Sequence, residues 1–512
     1  MRTLVNTTIA LFLATSLVGC DSILENTEPS TRVSQETALS SPDAIRGVRN
    51  SMYDQFHGPG GPANAGNYML VGPSSLADNL IFRPGAGRFS GLNLVDSQAG
   101  IGTPIRNRLY DAINDANLLI NGIQEDALDQ ATRNKYQAEG HFIRAMTMHY
   151  LVRVFGYDPA GPDEADGLVQ PNSGPGADWD RGIVIRTEPT LSPDEAVEKA
   201  RASVHEVYDQ IVNDLDTATD LFSGLPSNAK TKTRYYASEA AAQAILARVH
   251  LYQRDWEAAN TAAQNALNLA NSRFGSSLAG PSQLEAIFDE TTGDNPEAIF
   301  DLETDPLAAV DAINDAPSVY TSLNFQAQVP TQEMLDLYGS DDARLDRWYG
   351  PCISEDENEN NVESCTDRND SGFEIQKYRS ERGVSDYADD YPFARVAEMV
   401  LIQAEARLNT QGPSAAINRL NDLRTQRNAS ELDPSSYDSD SAMNEILAER
   451  RRELIAEGHR FFDLKRLGRD IPKDHVPGYA GDVLPFNSHQ ILDDLPSGAV
   501  EVNGPLQQNP GY

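Results

Sequence analysis

The chain has 512 residues, 77 acids against 41 bases and a formal charge of −36, and only seven of its bases are lysine. That balance excludes a phosphate-backbone binder, which needs concentrated positive charge. The length allows a large buried core, and two or three domains would fit within it. Nothing beyond the N-terminus runs apolar for about 18 residues, so a further membrane-spanning helix is not expected. An acidic, lysine-poor surface stays soluble where salt screens its self-repulsion. A saline habitat and an acidic lineage in ordinary medium both fit.

Met1-Arg2 opens a short basic segment, and Ile9 to Ala14 form an apolar core too short to span a bilayer. Leu17-Val18-Gly19-Cys20 follows. This resembles a bacterial lipoprotein signal, in which residues 1–19 are removed and Cys20 is acylated. Acyl chains would anchor the chain while its body stays aqueous. Residues 20–41 are polar and read as the lipidated N-terminus and tether. The body is expected to be one domain over 42–512.

Ser41-Pro42 starts a helix to about Phe56, with Ser41 as cap and Pro42 in the first turn. Residues 58–104 are glycine-rich, suit surface loops, and contain Tyr68, Phe82 and Phe89. Helices follow over about 105–123 and 130–155. A Pro/Gly/Asp-rich excursion at 157–190 holds Trp179 and is too long for a routine connection. Helical periodicity resumes at about 192–222, 233–252 and 255–270. The last two resemble a tetratricopeptide-type pair, with alanines for close crossing and Leu251, Tyr252 and Trp256 at the interface. Residues 275–390 lose helical periodicity, apart from candidate strands at 297–302 and 325–329; Tyr320, Phe325, Trp348 and Tyr349 lie there. A second helix pair is expected at 393–408 and 412–425. From Glu449 to Gly468 the period predicts one amphipathic helix. Leu454, Ile455, Phe461, Phe462 and Leu464 share one side, and Arg450, Glu453, Glu457, Arg460 and Lys465 the other. Gly458 costs that helix about 1 kcal/mol, for which a close helix crossing would give a reason.

The 449–468 stretch resembles the C-terminal signature of the SusD/RagB family of outer-membrane nutrient-binding lipoproteins. Three more stretches agree in the order that family uses. Ala138 to Gly156 carries its aromatic-Ile-Arg-Ala core and ends in Phe-Gly, with His141 and Met146 as variations. Tyr391 to Ala406 sets Arg395, Glu398 and Glu405 at its scaffold positions, where spacings of three and seven let them share a helix face. The chain finishes in Asn509-Pro-Gly-Tyr512, which would be tied down on the body and suggests an untruncated end. The resemblance implies a mostly α SusD-like scaffold with tetratricopeptide-like helix pairs and long ligand-binding loops around 58–104, 157–190 and 275–390. It also implies a non-catalytic surface receptor without cofactor. That receptor would capture an oligosaccharide or peptide, most readily a glycan, and pass it to a TonB-dependent SusC-like transporter.

No motif contradicts the absence of catalysis. HExxH, GxxxxGK[ST] and GxGxxG are missing, and His141 and His149 are too far apart for a local ligand pair. A secreted glycoside hydrolase would need two carboxylates across a cleft, and no pair can be selected among 77 acids. Asp367-Arg-Asn-Asp-Ser-Gly372 resembles half a calcium loop, but Tyr378 replaces the bidentate glutamate, so no metal is expected. Cys352 and Cys365 flank an acidic loop and, outside the cytoplasm, can close it as a disulfide or stay as two thiols. No family binding motif identifies ligand contacts. Aromatics in loop-like stretches supply the candidates Tyr68, Trp179, Tyr320, Phe325 and Trp348. Asp78-Asn79 adds polar recognition or, equally, caps a short helix.

Overall fold

Small apolar residues at helical spacing set most of the architecture. The computed structural model describes residues 39–57, 65–82, 90–95, 100–191, 196–288, 294–303, 328–351, 373–378, 390–476 and 478–512. Cys20, Tyr320, Phe325, Cys352, Cys365 and the 367–372 loop lie outside them.

The first half is a succession of helices: α1 (Pro42–His57), α2 (Ala65–Leu76), then β1 (Leu80–Phe82), α3 (Arg106–Asn121), α4 (Gln130–Phe155), α5 (Val204–Ser223), α6 (Glu239–Gln253) and α7 (Trp256–Phe274). From α3 to α7 each helix packs on the next, and α1 lies on α3. Side-chain caps fix several starts: Asp129, Ser203, Ser238 and Asp255 each accept a backbone N–H of the first turn. Buried alanines dominate α6 and α7, and Asn265 of α7 donates to Gln243 of α6 at 3.1 Å. Ala241, Ala244 and Ala247 on one side and Ala259, Ala263 and Ala266 on the other are fully buried, which lets the axes approach closely.

The second half begins with β2 (Ala298–Leu302) and β3 (Gln328–Pro330). It continues through β4 (Tyr391–Arg395), α8 (Val396–Gln411), α9 (Pro413–Gln426), α10 (Ser439–Glu453) and α11 (Arg460–Arg466). β2 pairs antiparallel with β4, which runs directly into α8. α7 lies against α8 and joins the halves. One large apolar core underlies α1–α7. A second gathers Leu80, Phe288, Trp348, Tyr378 and Ile455, and a third lies among α8, α9 and α10.

Four stretches depart from the sequence reading. The helix expected from 192 starts only at Val204; residues 196–203 before it are not helical, a bridge links Arg181 and Ser203, and Ser203 caps the helix at its delayed start. The helix expected from 233 likewise waits for its cap, Ser238. The glycine-rich stretch contains α2, where Ser74 and Ser75 hydroxyls donate back to the Leu70 and Val71 carbonyls. Gly72 lets the Ile101 side chain come close.

The fourth departure is the 449–468 stretch, which is two helices and a turn. Leu454 ends α10, Ala456 (φ 61°) and Gly458 (φ 77°) take left-handed backbone, and α11 restarts at Arg460. Gly458 serves a close approach, though to the backbone of α2 and not to a helix crossing: a Cβ there would sit 2.3 Å from the Met69 carbonyl oxygen. The expected polar side of this stretch is largely buried as well.

Candidate functional site

Arginine is the residue that builds a buried junction within the second half of the chain. Arg395, at the end of β4, reaches Glu457 at 2.7 Å, Glu453 at 2.7 Å and Glu297 at 3.0 Å. Arg427, after α9, bonds Glu297 at 2.6 Å and Glu453 at 2.8 Å. Arg344 reaches Glu449, Glu453 and Asp342, and Lys377 bonds Glu457 at 2.7 Å. All these side chains are buried. Burial alone would raise the Glu449 carboxyl, but Arg344, Arg452 and Arg424 hold it down to about 2. Burial brings Lys377 down to about 8 despite Glu457. Charges so enclosed neutralise one another and fix backbone; breaking one pair leaves the rest uncompensated. Arg395, Glu398 and Glu405 do not pair along a shared face. Glu398 takes Arg248 of α6 at 2.6 Å and Glu405 takes Arg466 of α11 at 2.6 Å.

From this junction two more arginines extend to a short ribbon. β1 and β3 pair antiparallel with Leu80 opposite Pro330, Ile81 opposite Val329 and Phe82 opposite Gln328. Arg460 holds the Asp78 carboxylate with two bonds of 2.7 Å. Arg451 donates to the Asp78 carbonyl at 2.9 Å and the Asn79 side-chain oxygen at 2.5 Å, and pairs with Glu333 at 2.8 Å. Burial works against the ionised Asp78, yet Arg460 and Arg451 bring its carboxyl to about 2. Gln328 donates to the Ser75 hydroxyl of α2, and Leu80 enters the second core with Trp348. Both strands are thus held at their bases. Residues 83–89, outside the described ones, follow Phe82, and 304–327, likewise outside them, precede Gln328, so each segment joins the chain at one end of this pair.

The other candidates are spread out. Asp78 and Asn79 lie together, but as partners of Arg460 and Arg451. Tyr68 is half-buried on α2 against the main core. Trp179 is half-buried elsewhere, its indole N–H donating to Asn509 at 3.2 Å and Arg201 lying 5.5 Å over its ring. Trp348 is fully buried, donates to the Leu284 carbonyl at 3.1 Å and has Lys377 at 4.2 Å from its ring, so it supports β1 from within. The terminus is tied down. Asn509 bonds Arg201 at 2.7 Å and the Asp493 carbonyl at 2.6 Å, and the Tyr512 hydroxyl donates to Leu492. No group of three potential metal ligands occurs among the described residues, and none of their helices is long and apolar enough to cross a membrane.

Sequence reasoning missed Gln328, Arg451 and Glu297. Only Arg451 had a signal, the three consecutive arginines Arg450 to Arg452 in a chain short of bases.

A family model described as SusD family matches residues 349–512, and one described as starch-binding associating with outer membrane matches residues 91–251. SusD-like protein P38 of Formosa agariphila is 25% identical over 405 residues, covering 71% of this chain and 72% of that protein. SusD-like protein P2 of the same organism is 27% identical over 440 residues, covering 79% of each. The crystal structure of a SusD superfamily protein from Bacteroides thetaiotaomicron matches with TM-score 0.74 at 21% identity, over 92% of this chain and 100% of that one. A SusD-like carbohydrate binding protein from Bacteroides vulgatus matches with TM-score 0.73 at 22% identity, over 91% of this chain and 97% of that one. At such identities the structural likeness concerns the fold: predominantly helical, with helices in pairs.

Proposed function

The chain belongs to the SusD/RagB family, and on that footing we propose that it captures an oligomeric glycan at the cell surface and hands it to a TonB-dependent SusC-like transporter. Proteins of this family are outer-membrane nutrient-binding proteins that work with a SusC-type partner, and this one is a binding protein and not an enzyme. Acylation of Cys20 would hold it at the membrane. Residues 1–19 are its leader, 20–41 its tether and 42–512 its single binding domain.

The observation that carries the reading is the pairing of Phe82 with Gln328. The segment bearing Tyr320 and Phe325 ends at that pair, the glycine-rich 83–89 stretch begins at it, and the arginine-held ribbon keeps both roots fixed. Phe325 lies three residues before Gln328, a chain length that reaches at most about 11 Å. Aromatic rings stacking on sugar faces, with amides or carboxylates taking hydroxyls, are the chemistry this arrangement would offer. A carbohydrate-binding protein among the matched folds agrees with it. Tyr320 and Phe325 are the first contacts to test, then Tyr68 and Trp179; Trp348, Asp78 and Asn79 act from behind.

The test is calorimetry of the unlipidated body against glycan and peptide panels. We expect binding of one glycan class without product, and about tenfold weaker binding for Phe325→Ala and Tyr320→Ala, an aromatic contact being worth roughly 1 kcal/mol or more. Binding of peptides alone would overturn the ligand class, and steady product formation would overturn the receptor. Cys20→Ser should release the chain from the membrane fraction.

A further inference from the structure

A groove of about 340 Å³ lies between α3 and the extended residues 184–190, within the range of about 300–1,000 Å³ usual for small-molecule sites. It is remote in the chain from the β1–β3 ribbon and is built differently. Asparagines at helical spacing on α3 staple the extended segment alongside. Asn114 exchanges two bonds with Thr190, at 2.7 and 3.1 Å, and Asn117 donates to the Arg186 and Glu188 carbonyls at 3.2 and 3.1 Å. Tyr110 closes the floor, its hydroxyl donating to the Val184 carbonyl at 3.0 Å. These bonds use up the amides, so the walls are set before any ligand arrives.

The groove is lined by two bases, Arg106 and Arg186, and two acids, Asp111 and Glu188, so it is far less acidic than a molecule of formal charge −36. Arg106 lies 4.7 Å over the Tyr110 ring, and among the described residues no carboxylate pairs with it and no acceptor takes its N–H groups. Arg186 also lines the groove and spends one N–H on the Val197 carbonyl. Beneath, Arg201 is buried and gives all its bonds to neutral acceptors: the carbonyls of Phe155, Arg181, Gly182 and Gln507 and the side chain of Asn509. Burial, then the neighbouring Arg106 and Arg181, bring Arg201 down to about 10, in keeping with positive charge that no anion offsets. The lining acids Asp111 and Glu188 are both exposed at the edge. A stacked, pre-positioned guanidinium with free donors matches the two oxygens of a carboxylate or sulfate.

We propose that this groove is a second ligand site, taking a sugar-sized ligand that carries an oxyanion, with Arg106 as its charged contact and Arg186 beside it. Only the choice of a sugar as carrier rests on the glycan reading above; the oxyanion rests on the groove.

The experiment is calorimetry of the unlipidated chain with galacturonate, galactose 6-sulfate and galactose, beside Arg106→Gln, Arg106→Lys and Arg186→Gln. We expect at least one charged sugar to bind tenfold or more tightly than galactose, the two charged arms telling carboxylate from sulfate. Arg106→Gln should abolish that preference, Arg186→Gln reduce it, and Arg106→Lys, which keeps the charge, restore part of it. Equal binding of all three sugars, or a preference that survives Arg106→Gln, overturns the inference. A charged sugar bound through Arg106 in a chain that holds no glycan polymer would sink the earlier reading and leave this one. Polymer binding with no charged-sugar preference would do the reverse.

Discussion

The α6–α7 pair and the junction around Glu453 are both dry interiors, yet they are put together by opposite means. The pair is lined mostly by buried alanines, with neighbours adjacent in the chain. The junction is closed by guanidinium and carboxylate, with partners such as Arg344 and Glu453 109 positions apart. An apolar contact loses in proportion to the area it gives up, whereas a buried ion deprived of its partner keeps its full desolvation cost. The first kind of interior yields gradually; the second fails at single positions.

Glu453→Gln should be the sharpest break. It removes the charge facing Arg344, Arg395 and Arg427 at nearly constant shape, and we expect about 3–5 kcal/mol of destabilisation, seen as a large drop in unfolding temperature or loss of soluble protein. Gly458→Ala comes next, at about 2–4 kcal/mol, since its Cβ would meet the Met69 carbonyl and its φ is positive. Ala244→Leu, overpacking the helix pair, should cost about 1–3 kcal/mol and leave the molecule folded. Should Glu453→Gln prove milder than Ala244→Leu in the same urea titration, the contrast between the two interiors is lost.

The smallest effect sharpens the comparison through pH. Asp493 is half-buried and accepts the Gly102 and Thr103 N–H groups at 2.7 and 3.3 Å. Burial, against those bonds and with Asp494 adding to it, brings its carboxyl up to about 7. A group raised on folding contributes stability that is complete below its unfolded value near 4 and lost as pH rises through 7. Asp493→Asn should therefore gain on the order of 1–2 kcal/mol over wild type at pH 8 and nothing at pH 4, read from melting curves at the two pH values. An equal effect at both would remove titration from the account.

The same contrast separates what the sequence discloses from what it hides. The helices α4, α6, α7 and α8 are legible because alanine, leucine and valine at helical spacing describe a local requirement. The stretch before Val204 reads as helix because Glu, Ala and Lys favour one, and the non-helical backbone there is held by tertiary bonds that composition cannot show, among them Arg201 to the Gly182 carbonyl. In the 449–468 stretch, acids and bases at helical spacing read as an exposed striped face. Their partners include Arg344, Arg395 of β4, Arg427, Glu405 of α8, Asp78 and Asp158, and a guanidinium's partner in space leaves no periodic trace along the chain. The candidate site suffers most. Its frame depends on Asp78, Gln328 and Arg451, three positions that only the fold brings together, whereas aromatics in loop-like stretches could be named without it.

The pairing of Phe82 with Gln328 has an evolutionary corollary. It acts as a socket: one insert begins at this clamped pair and the other ends at it, so either can lengthen, shorten or change composition while the frame behind keeps its geometry. Diversification of cargo would then accumulate in the inserts, and a relative's pair of inserts transplanted at these two residues should bring its own preference along.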